Sequence, residues 1–563
     1  MAEKPQIFIL PENVSRTLGR DAQRNNILAA KMVADVVKTT LGPKGMDKML
    51  VDSTGEIIVT NDGVTILEEM EIDHPAAKMM VEIAKTQESE VGDGTTTAAL
   101  LAGKLLENAE HLLDKKIHPT VIVKGYRLAS HKAIEILDEI AIPLENKNTL
   151  KQIAMTAMTG KGAESSKERL SEIIVRAVDK IAEGKEVDLG NIKLEKIKGD
   201  GIEDTELVEG IVLGNERANS DMPSQVKNAR ILLVDFPLEL KNPEMEAKIS
   251  VSTPEQLEQF IRSEENYLKV MTDRIIGSGA NVVFCQKGID DVAQYYLAQA
   301  GIFAVRRVSK EDMGKLARAT SGKIISNLND VGAGQFGTAE LVEEMKMGDD
   351  SLTFVRGCRN PRAVTIVIRG GTGHVLDEIE RAIKDGLGDV VSVVKSGKVV
   401  AGGGAVEIEL ARRLRIYARS LGGREQLAVE EFANALESVP ETLAENAGLD
   451  PIDVLTELKK RHESENGVRD GLNLFTNKVE DTFRAGIVEP LKIKSQAINS
   501  SSESFSSLTY PNFAPLFLGV GRFIVIGKTP ASNSSSAIFK ASYLISFNFS
   551  TGIFKIKGAS IAI

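Results

Sequence analysis

Two helical regions, one toward each end of the chain, enclose a middle stretch where short apolar runs alternate with helical patterns. This order restricts the fold more than any other feature. Residues 21–40 read as an amphipathic helix, with Leu28, Met32 and Val36 on one stripe and Val33 and Val37 beside it. Leu41-Gly42-Pro43 stops the helix, since glycine and proline both oppose a further turn. Residues 56–60 read as a strand, closed by the turn Asn61-Asp62-Gly63. Helical patterns follow at about 75–90, about 95–113 and 117–140. From about 215 to 370 the runs ILLVDF (231–236), NVVFCQ (281–286), IFAVRRV (302–308) and AVTIVIRGG (363–371) alternate with helices, as in an α/β unit. After 405 the pattern is helical again. A multidomain fold is expected, its α-rich ends free to join into one discontinuous domain around an α/β insertion.

At roughly 100–200 residues per domain, 563 residues allow about three or four domains. The formal net charge of -11 argues against a general nucleic-acid binder, whose affinity rests on clustered Lys and Arg. Two cysteines, Cys285 and Cys358, make no disulfide framework and fit a reducing cytoplasm. The six histidines are scattered, with no HExxH and no paired CxxC, so a metal site built on soft ligands is not expected. Met1-Ala2-Glu3-Lys4-Pro5 has no apolar core and reads as no signal peptide. No run approaches the roughly 18 apolar residues of a membrane span.

The strongest chemical signal is GDGTTT at 92–97. Its glycines let a backbone approach a ligand closely. Thr95, Thr96 and Thr97 stand where a helix begins, and a helix N-terminus favours an anion. Asp93 would repel a bare phosphate, and its presence makes sense if Mg²⁺ lies between them. The competing reading is a plain turn with a threonine cap. Three other glycine-bearing breaks, Leu41-Gly42-Pro43-Lys44-Gly45, Asn61-Asp62-Gly63 and Ala401-Gly402-Gly403-Gly404, are each unremarkable turns when taken singly. Together they read as a nucleotide site assembled from distant segments. A Walker A loop is absent: Arg522 occupies the first glycine position before Gly527-Lys528-Thr529. Gly370-Gly371-Thr372-Gly373 does not give GxGxxG.

LGPKGMDKML at 41–50, TNDGVTIL at 60–67, GDGTTTA at 92–98 and TGKGAE at 159–164 resemble the group II chaperonins, the archaeal thermosome and its eukaryotic cytosolic relative. So do VAGGG at 400–404, LAENAGLDPIDVL at 443–455 and GLNLFT at 471–476, and the likeness runs from about residue 5 to about 503, nearest to the archaeal branch. The resemblance implies an equatorial ATP-binding domain (1–151 and 405–503), mainly α, and a small α/β intermediate hinge domain (152–215 and 370–404). It also implies an α/β apical domain (216–369) that binds unfolded chains and carries a helical lid protrusion at about 241–277. Thr253-Pro254 offers a helix start there, followed by Leu257, Phe260, Ile261, Leu268 and Met271. By matching motif, Asp93 resembles the Mg²⁺ ligand, with Gly94, Thr95, Thr96 and Thr97 on the ATP phosphates. Leu41 and Gly42 resemble the facing wall, and Asn61 adjoins Asp62, which resembles the carboxylate that orders the attacking water. Asp385 resembles the base that activates this water, and Lys161 a γ-phosphate sensor. Gly403, Leu472, Asn473 and Glu489 resemble base and ribose contacts, with Lys494 beside them. From residues alone, Asp385 in ERAIKDGLGD reads as a solvated helix face.

The implied activity is ATP-dependent enclosure and folding of non-native polypeptides, in two stacked rings of identical or paralogous subunits in the cytoplasm, with no nucleic acid or membrane as partner. A small-molecule kinase and a non-catalytic scaffold stand as alternatives. The first would need an acceptor pocket with its own base, and intact Asp62, Asp93 and Asp385 argue against the second. Residues 504–563 depart from the pattern. They hold no acid and eight of the 18 phenylalanines, with apolar runs such as FIVIG and YLISF. An abrupt change of this kind is what a shifted or read-through frame produces, so the tail is not expected to be a functional domain. An adapted strand-forming extension is the alternative.

Overall fold

The computed structural model describes residues 19–51, 55, 57–240, 253–327, 330, 335–347, 350–359 and 361–509, with four short strands beyond them. The chain passes through three hydrophobic cores and returns through two of them.

The first core opens with α1 (Gly19–Lys38) and a hairpin of β1 (Lys48–Val51) and β2 (Ile57–Thr60). Then come α2 (Gly63–Glu69), α3 (Pro75–Val91), α4 (Thr95–Asp114) and α5 (Pro119–Ile140). Thirteen of the 20 positions of α4 are buried, because α1 and α3 pack around it. The stripe that α1 buries differs from the expected one. Ile27, Ala30, Val33, Ala34 and Val37 face the core and Val36 is half-buried, but Leu28 is 57% and Met32 61% exposed. Small residues decide the matter. Gly103 of α4 leaves no room for a Cβ against Ala34, so the alanine face brings the two helices close together and turns the larger side chains outward.

The second core takes β3 (Ile142–Pro143), α6 (Lys147–Met158), α7 (Lys167–Ile181), β4 (Ile192–Lys198) and β5 (Glu206–Val208). The third is built on β6 (Gly210–Leu213), β7 (Gln225–Val234), α8 (Pro254–Ser278), β8 (Val282–Cys285), α9 (Asp291–Gln299) and β9 (Phe303–Val305). It continues through α10 (Lys310–Thr320), β10 (Ile324–Ile325), β11 (Gly337–Met347) and β12 (Asp350–Arg356). Its sheet runs β6-β12-β11-β7-β8-β9, with β10 also on β7. β7, β8 and β9 are parallel, in register Ile231↔Val282↔Phe303. Both faces are covered. Ile231 and Leu233 belong to one apolar cluster and Leu232 and Val234 to another, as a two-residue period requires of a buried strand. Thr253 caps α8, its hydroxyl accepting from the Gln256 amide at 3.4 Å. Leu268, Met271 and Ile275 of α8 pack on the domain, while Phe260, Ile261, Tyr267 and Val270 are exposed. Residues 241–252, the first part of the expected lid, lie outside the described residues.

The chain then re-enters the second core with β13 (Val364–Gly370), which lies between β4 and β5. α11 (Gly373–Ser396) and β14 (Lys398–Ala401) follow. It closes the first core with α12 (Ala405–Ser420), α13 (Glu425–Asn446), α14 (Pro451–His462), β15 (Asp470–Asn473), β16 (Lys478–Asp481) and α15 (Leu491–Thr509), while β17 (Val488–Pro490) pairs with β14 and returns to the second core. α13 and α15 complete the packing around α4. Beyond Thr509, β18 (Leu516–Leu518) pairs antiparallel with β19 (Arg522–Ile524), and β20 (Leu544–Asn548) with β21 (Ile553–Lys557). The rest of the atypical tail lies outside the described residues. Among them, no helix is long and apolar enough to cross a membrane.

Candidate functional site

A cavity of about 230 Å³ lies where the first core meets the second. Gly92 ends α3 in the left-handed region (φ 89°), Asp93 follows, and Gly94 precedes α4 at φ 79°. A side chain at Gly94 would place its Cβ 2.6 Å from Ile493, so only glycine fits. The first turn of α4 has no side-chain cap, so its N–H groups are left for another acceptor. The buried Gln87 amide holds this loop, donating to the Asp93 carbonyl at 2.9 Å and the Ile493 carbonyl at 3.3 Å.

The facing wall carries Leu41, Gly42, Asn61 and Asp62. Asp62 caps α2, accepting from the Thr65 amide at 3.0 Å and the Thr65 hydroxyl at 2.6 Å. Asn61 donates to the Gly160 carbonyl at 2.9 Å and so ties this wall to the second core. Gly403, Leu472, Glu489 and Lys494 line the far side. Lys494 is buried between Glu407 (2.9 Å) and Glu489 (2.5 Å). Burial opposes its charge, but those two carboxylates outweigh it and hold the ammonium well above the usual lysine range.

The second core supplies Lys161 from the loop after α6 and Asp385 from α11, and the two form an ion pair. Asp385 is only 7% exposed, so the solvated face that its polar neighbours suggest is not where it lies. It stands behind Lys161 instead of on the cavity wall. Burial and the carboxylates of Asp93 and Asp62 push Asp385 above the usual carboxylate range, against the pull of Lys161. Burial opposes the charge of Lys161, and Asp385, Asp93 and Asp62 more than offset that. Every expected site residue lines the cavity except Asp385 and Asn473. Asn473 points its amide at Glu480 (2.5 Å) and accepts from the Phe475 amide.

Three carboxylates escaped the sequence reading. Glu407 binds Lys494. Glu88 is pushed up to about 8 by burial and by Asp385, Asp62 and Asp93. Asp389 lines the cavity one turn after Asp385, and this i, i+4 spacing was the available signal. The carboxylates outnumber Lys161 and Lys494, and the Asp389 Oδ1 is buried without a partner. No ready-made cluster of three metal-ligating side chains occurs among the described residues. Oxygen donors in this number suit a Mg²⁺ whose remaining ligands are phosphate oxygens and water.

Fold and cavity together define a class: a chain of three nested cores, with an uncapped helix N-terminus from one core and the Lys161–Asp385 pair from the next meeting at one cavity. Comparison with known proteins gives the family. Residues 33–508 match the TCP-1/cpn60 chaperonin family. The chain is 57% identical over 505 residues to a thermosome subunit of Methanopyrus kandleri, covering 89% of this chain and 92% of the relative. It is 58% identical over 503 residues to thermosome subunit beta of Archaeoglobus fulgidus, covering 88% and 92%. A thermosome subunit of Methanocaldococcus jannaschii is 55% identical over 508 residues, covering 90% and 94%. The chain belongs to the TCP-1/cpn60 chaperonin family, as a chaperonin of group II.

Proposed function

We propose that this subunit hydrolyses Mg-ATP and uses the resulting motion to enclose and fold non-native polypeptides within two stacked rings. The observation that carries the reading is the junction itself. The uncapped N-terminus of α4 and Asp93 stand in the first core, while Lys161 and Asp385 reach them from the second. The first core then acts as the equatorial domain, the second as the intermediate hinge and the third as the apical domain; the boundaries expected at 215 and 369 move to about 209 and 363, because β6 pairs with β12 of the third core and β13 with β4 and β5 of the second. The segment 241–277, which includes most of α8, is the lid protrusion.

Gly94, Thr95, Thr96 and Thr97 bind the phosphates through amides and hydroxyls, and Asp93 would hold Mg²⁺. Mg²⁺ bound there neutralises phosphate charge. Asp385 accepts the proton of the attacking water, Asp62 orients that water, and Lys161 keeps a positive charge facing the terminal phosphate. Leu41, Gly42 and Asn61 close the phosphate wall, and Gly403, Leu472 and Glu489 flank the base and ribose. Asn473 and Lys494, both already engaged, brace that side. Lys161 and Asp385 ride on the same core, so hinge motion brings both in or removes both, and hydrolysis becomes conditional on closure.

Exposed Leu28 and Met32 of α1 and exposed Met49, Val51, Ile57 and Val59 of the hairpin offer apolar surface for ring contacts with identical or paralogous subunits. Two buried free cysteines suit the cytoplasm. Negative-stain microscopy of the purified protein, with ATP turnover on the same sample, tests the reading. Double rings that hydrolyse ATP are expected, and monomers without turnover would refute it.

A further inference from the structure

α11 and the loop after α3 touch backbone to backbone. A Cβ on Gly388 would lie 2.9 Å from the Val91 carbonyl oxygen and 3.1 Å from the Gly92 Cα, so neither chain has room for a side chain here. The residue after each glycine is an aspartate, Asp93 on the loop and Asp389 on the helix, and both line the one cavity. The contact therefore converges two carboxylates from two different cores. Asp389 is 3% exposed. Its side chain makes no hydrogen bond or ion pair among the described residues, and its Oδ1 is fully enclosed. Buried polar groups are nearly always satisfied, and an unsatisfied one calls for an explanation such as an ion. Lys161 does not supply it, because that ammonium is bonded to Asp385. Two carboxylates lining one cavity repel unless a proton or a cation lies between them, and Mg²⁺ is commonly held by one or two carboxylates together with phosphate oxygens.

We propose that Asp389 is a second carboxylate ligand, beside Asp93, of the divalent cation that accompanies the nucleotide. The inference rests on the nucleotide reading of this cavity. It adds that the cation bridges the first and second cores through the protein's own side chains as well as through phosphate. The hinge is then fastened by metal on one side of α11 and by the Lys161–Asp385 pair one turn earlier.

The test uses Mn²⁺ as the probe, with the full chain and a non-hydrolysable ATP analogue. Mn²⁺ affinity is read by electron paramagnetic resonance, and bound water by proton relaxation. Asp389→Asn keeps the shape of the side chain, and Asp389→Val removes the buried polar group altogether. Both are expected to weaken Mn²⁺ by about 10–100-fold and to leave about one more water on the metal. Binding of the analogue in chelator should be unchanged or tighter, because a buried negative charge has gone. Asp385→Asn, which removes a charge close by, should leave the water count as in the wild type. Unchanged Mn²⁺ affinity in both Asp389 variants would overturn the proposal, as would an equal loss in Asp385→Asn, which would mean field rather than ligation. Asp93→Asn separates the two readings. If it loses Mn²⁺ while the Asp389 variants keep it, the nucleotide site stands and this inference falls. If the wild type fails to bind the analogue, the nucleotide reading itself falls.

Discussion

Asp385 is buried, bonded to Lys161, and carried by a core different from the one that supplies the cradle. Asp385→Ala is expected to leave nucleotide affinity near that of the wild type and to slow hydrolysis by about 10²–10⁴, the scale for losing a positioned base. Steady-state turnover beside equilibrium nucleotide binding checks this, and near-normal turnover would remove Asp385 from the mechanism. A second residue-level prediction concerns stability. Glu409 and His462 are both wholly buried, and Glu409 also takes hydrogen bonds from Arg412 (2.7 Å) and Arg413 (2.5 Å). Burial opposes the charge on Glu409, but His462, Arg412 and Arg413 outweigh it and bring the carboxyl down to about 2. Its folded value lies below its unfolded one, so its contribution is complete above about 4.5 and fades as pH falls toward about 2. Glu409→Gln removes the charge from a buried acceptor of hydrogen bonds from the half-buried Arg412 and Arg413 and should cost about 1–3 kcal/mol at neutral pH. Denaturant titration at pH 7 and pH 3 should show the gap between the two proteins narrowing at the lower pH. The glycine and threonine runs of the cavity were legible because their composition is their mechanism. Asp389 was not, because its i, i+4 spacing from Asp385 fits a solvated helix face equally well until its neighbours in space are known. The burial of Ala34 over Leu28 was equally hidden, since it depends on Gly103, sixty-nine residues along the chain from Ala34.

Helices with strong period and plain stops could be read closely: α3, α4 and α5 begin and end within a few residues of the expected limits. The apolar runs at 231–236, 281–286 and 302–308 became β7, β8 and β9, but periodicity could not order them in a sheet. Nor could it reveal that β11 and β12, poor in apolar residues, flank them on one side. α8 divides along its length. Its second half packs through Leu268, Met271 and Ile275, and its first half leaves Phe260 and Ile261 exposed among the described residues. If this half meets non-native chains, the double substitution Phe260→Ser, Ile261→Ser should reduce capture of a denatured client several-fold and spare ATP turnover. Suppression of client aggregation, measured beside hydrolysis, reads both effects. Full capture by the variant would assign those side chains to another role.

The family match ends at residue 508, within α15, and the atypical tail follows. A segment rich in apolar β-formers and nearly free of charge promotes association of the wrong kind when exposed. Cutting the chain after Thr509 is therefore expected to raise soluble yield and leave ring yield by size-exclusion chromatography at least as high as in the full chain. Loss of rings on truncation would give the tail a structural part. The three cores also have a consequence in time. The first core joins α1–α5 to α12, α13 and α15, so its two halves are separated in the chain by everything from β3 to β14. During synthesis at about 5–20 residues per second, the α1–α5 half waits roughly 15–50 s on the ribosome before its partner helices emerge. The inserted cores can fold in that interval, while the apolar flanks of α4 stay uncovered. Each new copy of this subunit therefore passes through a stage in which it is itself a candidate for the help of rings already assembled.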